Sequence, residues 1–508
     1  MNLPHVLTAQ SIRRSGFPRT GIRCMPLLII STIIGMTLIA PAPAEAATGD
    51  GLEPDNSVAV SMEYTAAIEQ HRSTIDELQS DLGPFDSLLI PPISILTDLL
   101  IETGDFSEAL NLLQQQLQIY RISYGLYSSQ QITLLEKLMN LYVLLQDWEA
   151  VSDRLQYLSW IYSRDAQSPV PDQLAGLKRL RDWHMYVLNN DRPERQADHL
   201  LSIRDVSEKT LNLARQHYGE DNPALIDYIY DRAQADLYIA LAIMLTSETS
   251  PALIRMTEGV TSTGTTRLSR LQTASDFEAA YGSRVNTVID RSFRNNMNKH
   301  FSHISTIRDY YVETGNREAE ALALIYMGDS MLLRDQYESN PLKFAGQTRG
   351  SSNTGSANRY YSEATALLVD SGISTSDTDL FFSCPVLLPV KNFTPIFSAT
   401  QTGCLQLSET KTLDLGDIHL LVDTVPDTQQ LSKPVTTESE AGISSIVQFA
   451  VPGNGQPSRI EVLATEPDTV RNRVQARTIV DRLQFRPAII NGRPGLSEKV
   501  TMRLFLPE

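Results

Sequence analysis

Apolar residues recur at three- and four-residue steps along most of this chain. Ile93, Leu96, Leu99 and Leu100 do so, then Leu112, Leu113 and Leu117, then Leu134, Leu135, Leu138 and Leu141. That step lines one face of an α-helix, so the pattern predicts helices almost throughout residues 58–370. Short turns carrying Gly, Asn, Asp or Pro break it, such as Thr103-Gly104-Asp105 and Gly219-Glu220-Asp221-Asn222-Pro223. One longer interruption, Gly346 to Ser356, is low in complexity and predicts a mobile loop at about 346–356, with a last helix pair at about 317–337 and 357–370. Residues 47–57 are small and polar and predict a flexible start.

Two turns are near copies. Gly104-Asp105-Phe106-Ser107-Glu108-Ala109-Leu110 stands between apolar helices, and 42 residues later Gln146-Asp147-Trp148-Glu149-Ala150-Val151 does the same. In each, a tight turn precedes an aromatic ring, Phe106 or Trp148, that fills the gap between paired helices. A small residue, Ala109, follows where the helices approach closely, with Val151 in its place in the second copy. A lone helix pair cannot bury its own apolar face, so such pairs stack on their neighbours. Tyr124-Gly125-Leu126-Tyr127 and Tyr218-Gly219 echo one another in the same way. On these residues the chain resembles tetratricopeptide repeats, above all the 42-residue form of kinesin light chains, over roughly 90–165 and less regularly over 170–250. The resemblance implies a solenoid of helical hairpins whose trough holds a protein or peptide.

Beyond 378 the pattern changes to short β-like runs: Leu380-Phe381-Phe382, Val386-Leu387-Leu388, Ile418 to Val422 and Ile446 to Val451. Residues 378–441 read as a β-rich connection and 442–508 as a separate module. In the module Val447, Phe449 and Val451 alternate with polar or small neighbours, and Pro452-Gly453-Asn454-Gly455 reverses the chain. A helix at Val470 to Leu483 and a last strand with Val500, Met502, Leu504 and Leu506 on one face complete a strand–strand–helix–strand order. The fold class expected is therefore mostly α with a small C-terminal α+β domain. That order, with Phe485-Arg486-Pro487-Ala488 and Asn491-Gly492-Arg493-Pro494, resembles the C-terminal domain of TonB-type energy transducers. In that family the module takes a short partner segment by strand addition at an open sheet edge. Those transducers carry a histidine in an uncleaved N-terminal helix and a Pro-rich spacer. This chain has neither, so the resemblance implies a module borrowed for binding.

The N-terminus changes the picture of where the chain works. Arg13, Arg14, Arg19 and Arg23 precede the apolar run Pro26 to Ala40, followed by Pro41-Ala42-Pro43-Ala44-Glu45-Ala46. This is the layout of a secretory signal peptide over residues 1–46, with cleavage after Ala46 and release into the periplasm. The alternative is an uncleaved anchor in the inner membrane, the one arrangement in which a membrane contact is expected. The formal net charge is −17, and an acidic chain of this kind repels nucleic acid and anionic lipid. Of three cysteines, Cys24 lies in the signal segment, which leaves Cys384 and Cys404 as a candidate disulfide in an oxidising compartment. The alternative is a pair of buried thiols.

Motifs for catalysis are absent: there is no H-E-x-x-H, G-x-S-x-G or phosphate-binding loop. His300 and His303 sit three apart in a helical stretch without further good ligands nearby, and read as a solvated pair. The acidic run Thr436 to Glu440 reads as linker, and Asn392-Phe393-Thr394 matches a glycosylation sequon that has little meaning in a bacterium. No cofactor and no metal are expected. The chain reads as a non-enzymatic adaptor for protein or peptide partners of the cell envelope. The competing readings are a membrane-anchored relative of energy transducers and an unrecognised cell-envelope enzyme.

Overall fold

Gly83, Gly104, Gly125 and Gln146 fall at an even 21-residue step, and all four hold a positive φ (90°, 82°, 90° and 56°). Glycine adopts that conformation without a Cβ clash, so a residue of positive φ closes a helix at every such step. The computed structural model describes residues 56–164, 168–188, 190–191, 193–245, 285–338, 354–394, 410–414, 419–421, 444–490 and 492–505. The expected signal segment and its cleavage site at Ala46, most of the 346–356 loop, Cys404, the 436–440 run and Asn491 lie outside them.

Helices α1 (Asn56–Leu82), α2 (Ile90–Thr103), α3 (Phe106–Tyr124), α4 (Ile132–Leu144), α5 (Trp148–Arg164) and α6 (Val170–Val187) come first. They are followed by α7 (Pro193–Tyr218), α8 (Leu225–Leu245), α9 (Val285–Glu313), α10 (Arg317–Glu338), α11 (Thr354–Asp370) and the short α12 (Thr375–Phe381). From α2 to α11 each helix packs against the next. The turn between α2 and α3 shows how. Asp105 N–H reaches back to the Leu100 carbonyl (2.8 Å), and the Asp105 carboxylate accepts from Glu108 N–H (3.3 Å), so one residue ends a helix and caps the next. Asp147 repeats both bonds between α4 and α5, to the Tyr142 carbonyl (2.9 Å) and from Ala150 N–H (3.1 Å).

A third copy lies at Thr314-Gly315-Asn316, between α9 and α10. Gly315 has φ 70°, Asn316 N–H bonds the Tyr311 carbonyl (3.0 Å), and its side chain caps Ala319 (3.1 Å). Three residues or so into each following helix stands a small, fully buried side chain: Ala109, Val151 or Ala319. Phe106 and Trp148 are each half-buried beside the first helical core. That core runs from Ile68 to Val206, and a second one from Leu174 to Ile489.

The strands are β1 (Val386–Leu388), β2 (Thr410–Asp414), β3 (His419–Leu421), β4 (Ser444–Val451) and β5 (Ser458–Glu466). Helix α13 (Val470–Asp481), β6 (Gln484–Arg486), β7 (Ile489–Ile490), β8 (Arg493–Pro494) and β9 (Ser497–Phe505) follow. The main sheet has the order β3-β2-β9-β4-β5, with β4 antiparallel to both its neighbours. Val447, Phe449, Val451, Met502 and Leu504 face α13, which packs Ala476, Ile479 and Val480 on them.

Two sequence expectations need correction. Leu380-Phe381-Phe382 is not a strand: Leu380 and Phe381 end α12. The reason is local capping, because the Ser374 hydroxyl accepts from Asp377 N–H (3.1 Å) and donates to the Asp377 carboxylate (2.6 Å). The proposed loop ends earlier than Ser356, since α11 already begins at Thr354. Strand β6 leaves the module's sheet altogether. It pairs with β1 instead, placing Arg486 opposite Val386 and Phe485 opposite Leu387.

Candidate functional site

The segment after β1, residues 389–394, bends at 389, 391 and 392 and lies against α8, α9 and α10. Tyr230 on α8 donates its hydroxyl to the Val390 carbonyl (2.6 Å), and the Gln234 amide, one turn on, donates to the same oxygen (2.7 Å). Gln234 also donates to the Tyr230 hydroxyl (2.5 Å), so the two side chains hold each other in place. On α10 the Tyr326 hydroxyl donates to the Asn392 carbonyl (2.9 Å). Two helices thus hold the Val390 and Asn392 carbonyls of this short segment.

Between them Phe393 turns into the helices and is 6% exposed. Its ring lies 5.0 Å from that of Tyr326, 5.8 Å from Tyr230 and 6.1 Å from Tyr311 on α9, nearly parallel to the last. Aromatic contacts at such spacings add about 0.5–1.5 kcal/mol each beyond area burial. Burial pushes the Tyr230 hydroxyl well above the ordinary phenol range and that of Tyr311 up to about 12, so both stay protonated. Tyr230, Tyr311, Tyr326 and Gln234 thus form a socket for an aromatic side chain, with donors for the backbone around it. The same Asn392-Phe393-Thr394 stretch read as a sequon is in fact the socket's occupant.

A buried ionic clamp sits beside the socket. Arg486 of β6 grips Asp329 of α10 with both arms of its guanidinium, Nε to Oδ1 at 2.8 Å and an Nη to Oδ2 at 2.5 Å. Tyr361 on α11 donates to Asp329 Oδ1 (2.9 Å), and the guanidinium carbon lies 6.0 Å from the Tyr326 ring centre. Burial opposes the charge on Arg486, but Asp329 more than offsets it and raises the guanidinium above its ordinary value. Gly328 makes room for this cluster: a Cβ there would strike the Tyr361 ring.

The residues expected to mark the C-terminal module are therefore internal ties. Phe485 is fully buried against Phe449 (5.3 Å between rings), Pro487 is buried, and Arg486 is the clamp. The Gly492 carbonyl accepts from Ser362 of α11 (2.9 Å), and Ile489 N–H donates to the Phe382 carbonyl (2.8 Å). Spacing in the sequence gave no hint of the Asp329–Arg486 pair, since the partners lie 157 residues apart.

One buried cluster has the composition of a hydrolase triad. Asp191 Oδ2 lies 2.5 Å from Ser152 Oγ and 2.9 Å from His199 Nε2, and His199 Nδ1 lies 3.0 Å from His184 Nδ1. Ser152 donates to that carboxylate oxygen, and His199 Nε2 also lies 3.3 Å from Ser152 Oγ, so the three groups meet at one point. Asp191 and Ser152 therefore share one nitrogen of the imidazole, whereas a hydrolytic triad places them on opposite nitrogens. Burial, then the neighbouring His199, lowers His184 to about 3, so it is a neutral structural imidazole joining α6 and α7.

The His300–His303 pair is also not solvated as expected. His300 is buried, donates from Nδ1 to the Ala233 carbonyl (3.0 Å) and meets Ser330 Oγ at Nε2 (2.7 Å). His303 stands instead beside Asp236 (3.8 Å), within the Arg232–Asp236–Glu208 network. His300 thus bridges α8 and α10, whereas His303, one turn on, faces the ionic network on α8. Among the described residues no group of three or more His, Cys, Asp or Glu side chains is placed to hold a metal ion, and no helix is long and apolar enough to cross a membrane. No protein-family model and no curated protein matches this chain.

Proposed function

We propose that the chain is a non-catalytic adaptor of the cell envelope, exported by its N-terminal segment and built to hold peptide segments on its helices. The observation that carries this reading is the socket of Tyr230, Gln234, Tyr311 and Tyr326, which already holds a non-helical stretch of the chain through two carbonyls and one aromatic ring. On this reading the copied turns at Gly104, Gln146 and Gly315 belong to stacked hairpins of tetratricopeptide type. The C-terminal module, similar to that of TonB-type transducers, is then a second binding unit. Strand β5 supports that part: it is the last strand of the sheet among the described residues, with Leu463 exposed on it. Edges of this type accept an added strand.

In-cell photocrosslinking from exposed positions on the helical domain, with and without residues 442–508, tests the proposal. We expect one or a few envelope proteins to be captured reproducibly, with part of the set lost on deletion of the module. An empty result in both forms of the protein would end the adaptor reading.

A further inference from the structure

We propose that the tip between α3 and α4, together with the end of α5 beside it, is a docking surface for a phospholipid bilayer, entered by the side chains of Leu126, Tyr127 and Trp160. The inference is independent of the adaptor reading, since it needs neither a protein partner nor the socket. Three observations carry it. First, the side chains are of the interfacial kind. Ile122, Tyr124, Leu126, Tyr127 and Trp160 are each 40–64% exposed, and residues 122–127 form an unbroken exposed run. The rings of Tyr127 and Trp160 lie 6.3 Å apart, which joins the tip to α5 in one patch. Tryptophan and tyrosine settle at the headgroup level of a bilayer, and leucine or isoleucine beside them enters the acyl boundary.

Second, the charge there is the reverse of the chain's. The formal net charge is −17, yet Arg121 is the only charged residue between Glu108 and Glu136, and residues 154–164 of α5 include arginines and no carboxylate. The Arg121 guanidinium lies over the Tyr157 ring (4.7 Å to its centre), and that of Arg164 over Tyr127 (4.2 Å) and Trp160 (4.9 Å). A guanidinium stacked on a ring keeps in-plane donors for a headgroup phosphate. Repulsion from the acidic remainder of the chain reaches only about 8 Å at physiological salt, so the local charge decides which face approaches. Third, the backbone of the tip is tied up internally. Gly125 N–H bonds the Arg121 carbonyl (3.0 Å), and the buried Gln131 amide donates to the Gly125 (2.8 Å) and Leu126 (3.1 Å) carbonyls. The Tyr157 hydroxyl lies 2.6 Å from the Leu126 carbonyl as well. Unpaired backbone groups are costly in lipid, and these are paired already. That favours a bilayer over an added peptide, which would compete for the same carbonyls.

The test follows quenching of Trp160 emission by brominated lipid in vesicles of phosphatidylethanolamine and phosphatidylglycerol at physiological salt. The full chain is used. Its apolar run Pro26 to Ala40 adds the same vesicle binding to every variant, so the readout is the ring at 160 and not sedimentation. Trp160→Phe keeps apolar bulk and gives the background from the other two tryptophans. We expect clear quenching above that background. Leu126→Ser combined with Tyr127→Ser should need at least about tenfold more lipid for the same quenching. Val474→Ser, also at an exposed position but in the C-terminal module, should match the unaltered protein. These side chains are exposed, so the unfolding transition stays where it was; Leu126→Ser alone, with a smaller effect in the same direction, serves if the pair shifts it. No quenching above the Trp160→Phe background, or equal quenching with and without the two serines, would overturn the proposal. So would loss of photocrosslinked protein partners from the serine variant without any quenching in the unaltered chain, which assigns the surface to a protein instead.

Discussion

Arg486→Ala should lower stability by about 3–5 kcal/mol, the largest loss expected of any single truncation in the module. The substitution removes the fork that satisfies both oxygens of Asp329, and leaves that carboxylate buried with only Tyr361 as a donor among its described bonds. Breaking one side of a buried pair is far costlier than replacing both, because the penalty comes from the stranded charge. Arg486→Met combined with Asp329→Leu should therefore recover most of the loss. Denaturant titration of the single and double variants decides the matter. A single variant within about 0.5 kcal/mol of the unaltered protein would mean that the clamp is not formed. Arg486→Lys should fall between them, since an ammonium keeps the charge but cannot span both oxygens.

Gly455→Ala should cost about 2–5 kcal/mol, from two sources. Its φ of 74° lies in the left-handed region, where an L side chain is disfavoured by about 1–2 kcal/mol. The added methyl would also collide with the main-chain oxygen of Phe485 and the Gln484 side chain, and such overpacking costs about 1–3 kcal/mol. The collision cannot relax cheaply, because Phe485 N–H donates to the Gly455 carbonyl at 2.8 Å and fixes the two backbones together. Gly453 in the same turn has looser surroundings and no positive φ, so Gly453→Ala should be much milder. Thermal unfolding of the two variants side by side reads the difference, and equal losses would contradict the argument.

The helices were legible in the sequence because their signals are local. Leucines at helical spacing mark the buried stripe, and Gly104-Asp105 announces both the end of one helix and the cap of the next. Thr314-Gly315-Asn316 carries the same signature and was equally readable, although no aromatic ring follows it: Arg317 stands where Phe106 and Trp148 do. The strands of the module were legible for the same reason, since alternation along Val447, Phe449 and Val451 needs no distant partner.

The socket was not legible, and the reason is physical. Tyr230, Tyr311, Tyr326 and Phe393 lie far apart in the chain and converge only because α8, α9 and α10 pack in succession. Their spacing within each helix is that of ordinary core positions. Phe485-Arg486-Pro487 was noticed as a pattern, yet its role as an inward clamp depends on Asp329, which no local rule connects to it. The error at Leu380-Phe381 has the opposite origin. An apolar triplet looks like a strand until the Ser374–Asp377 cap, a few residues upstream, starts a helix instead.

A photoreactive phenylalanine analogue at position 393 offers the most direct test of the central claim, that the helices seat this ring. Irradiation of the isolated protein, followed by digestion and mass spectrometry, should link residue 393 to peptides containing Tyr230, Tyr311 or Tyr326. Adducts scattered over the surface, or attached only to solvent, would contradict it.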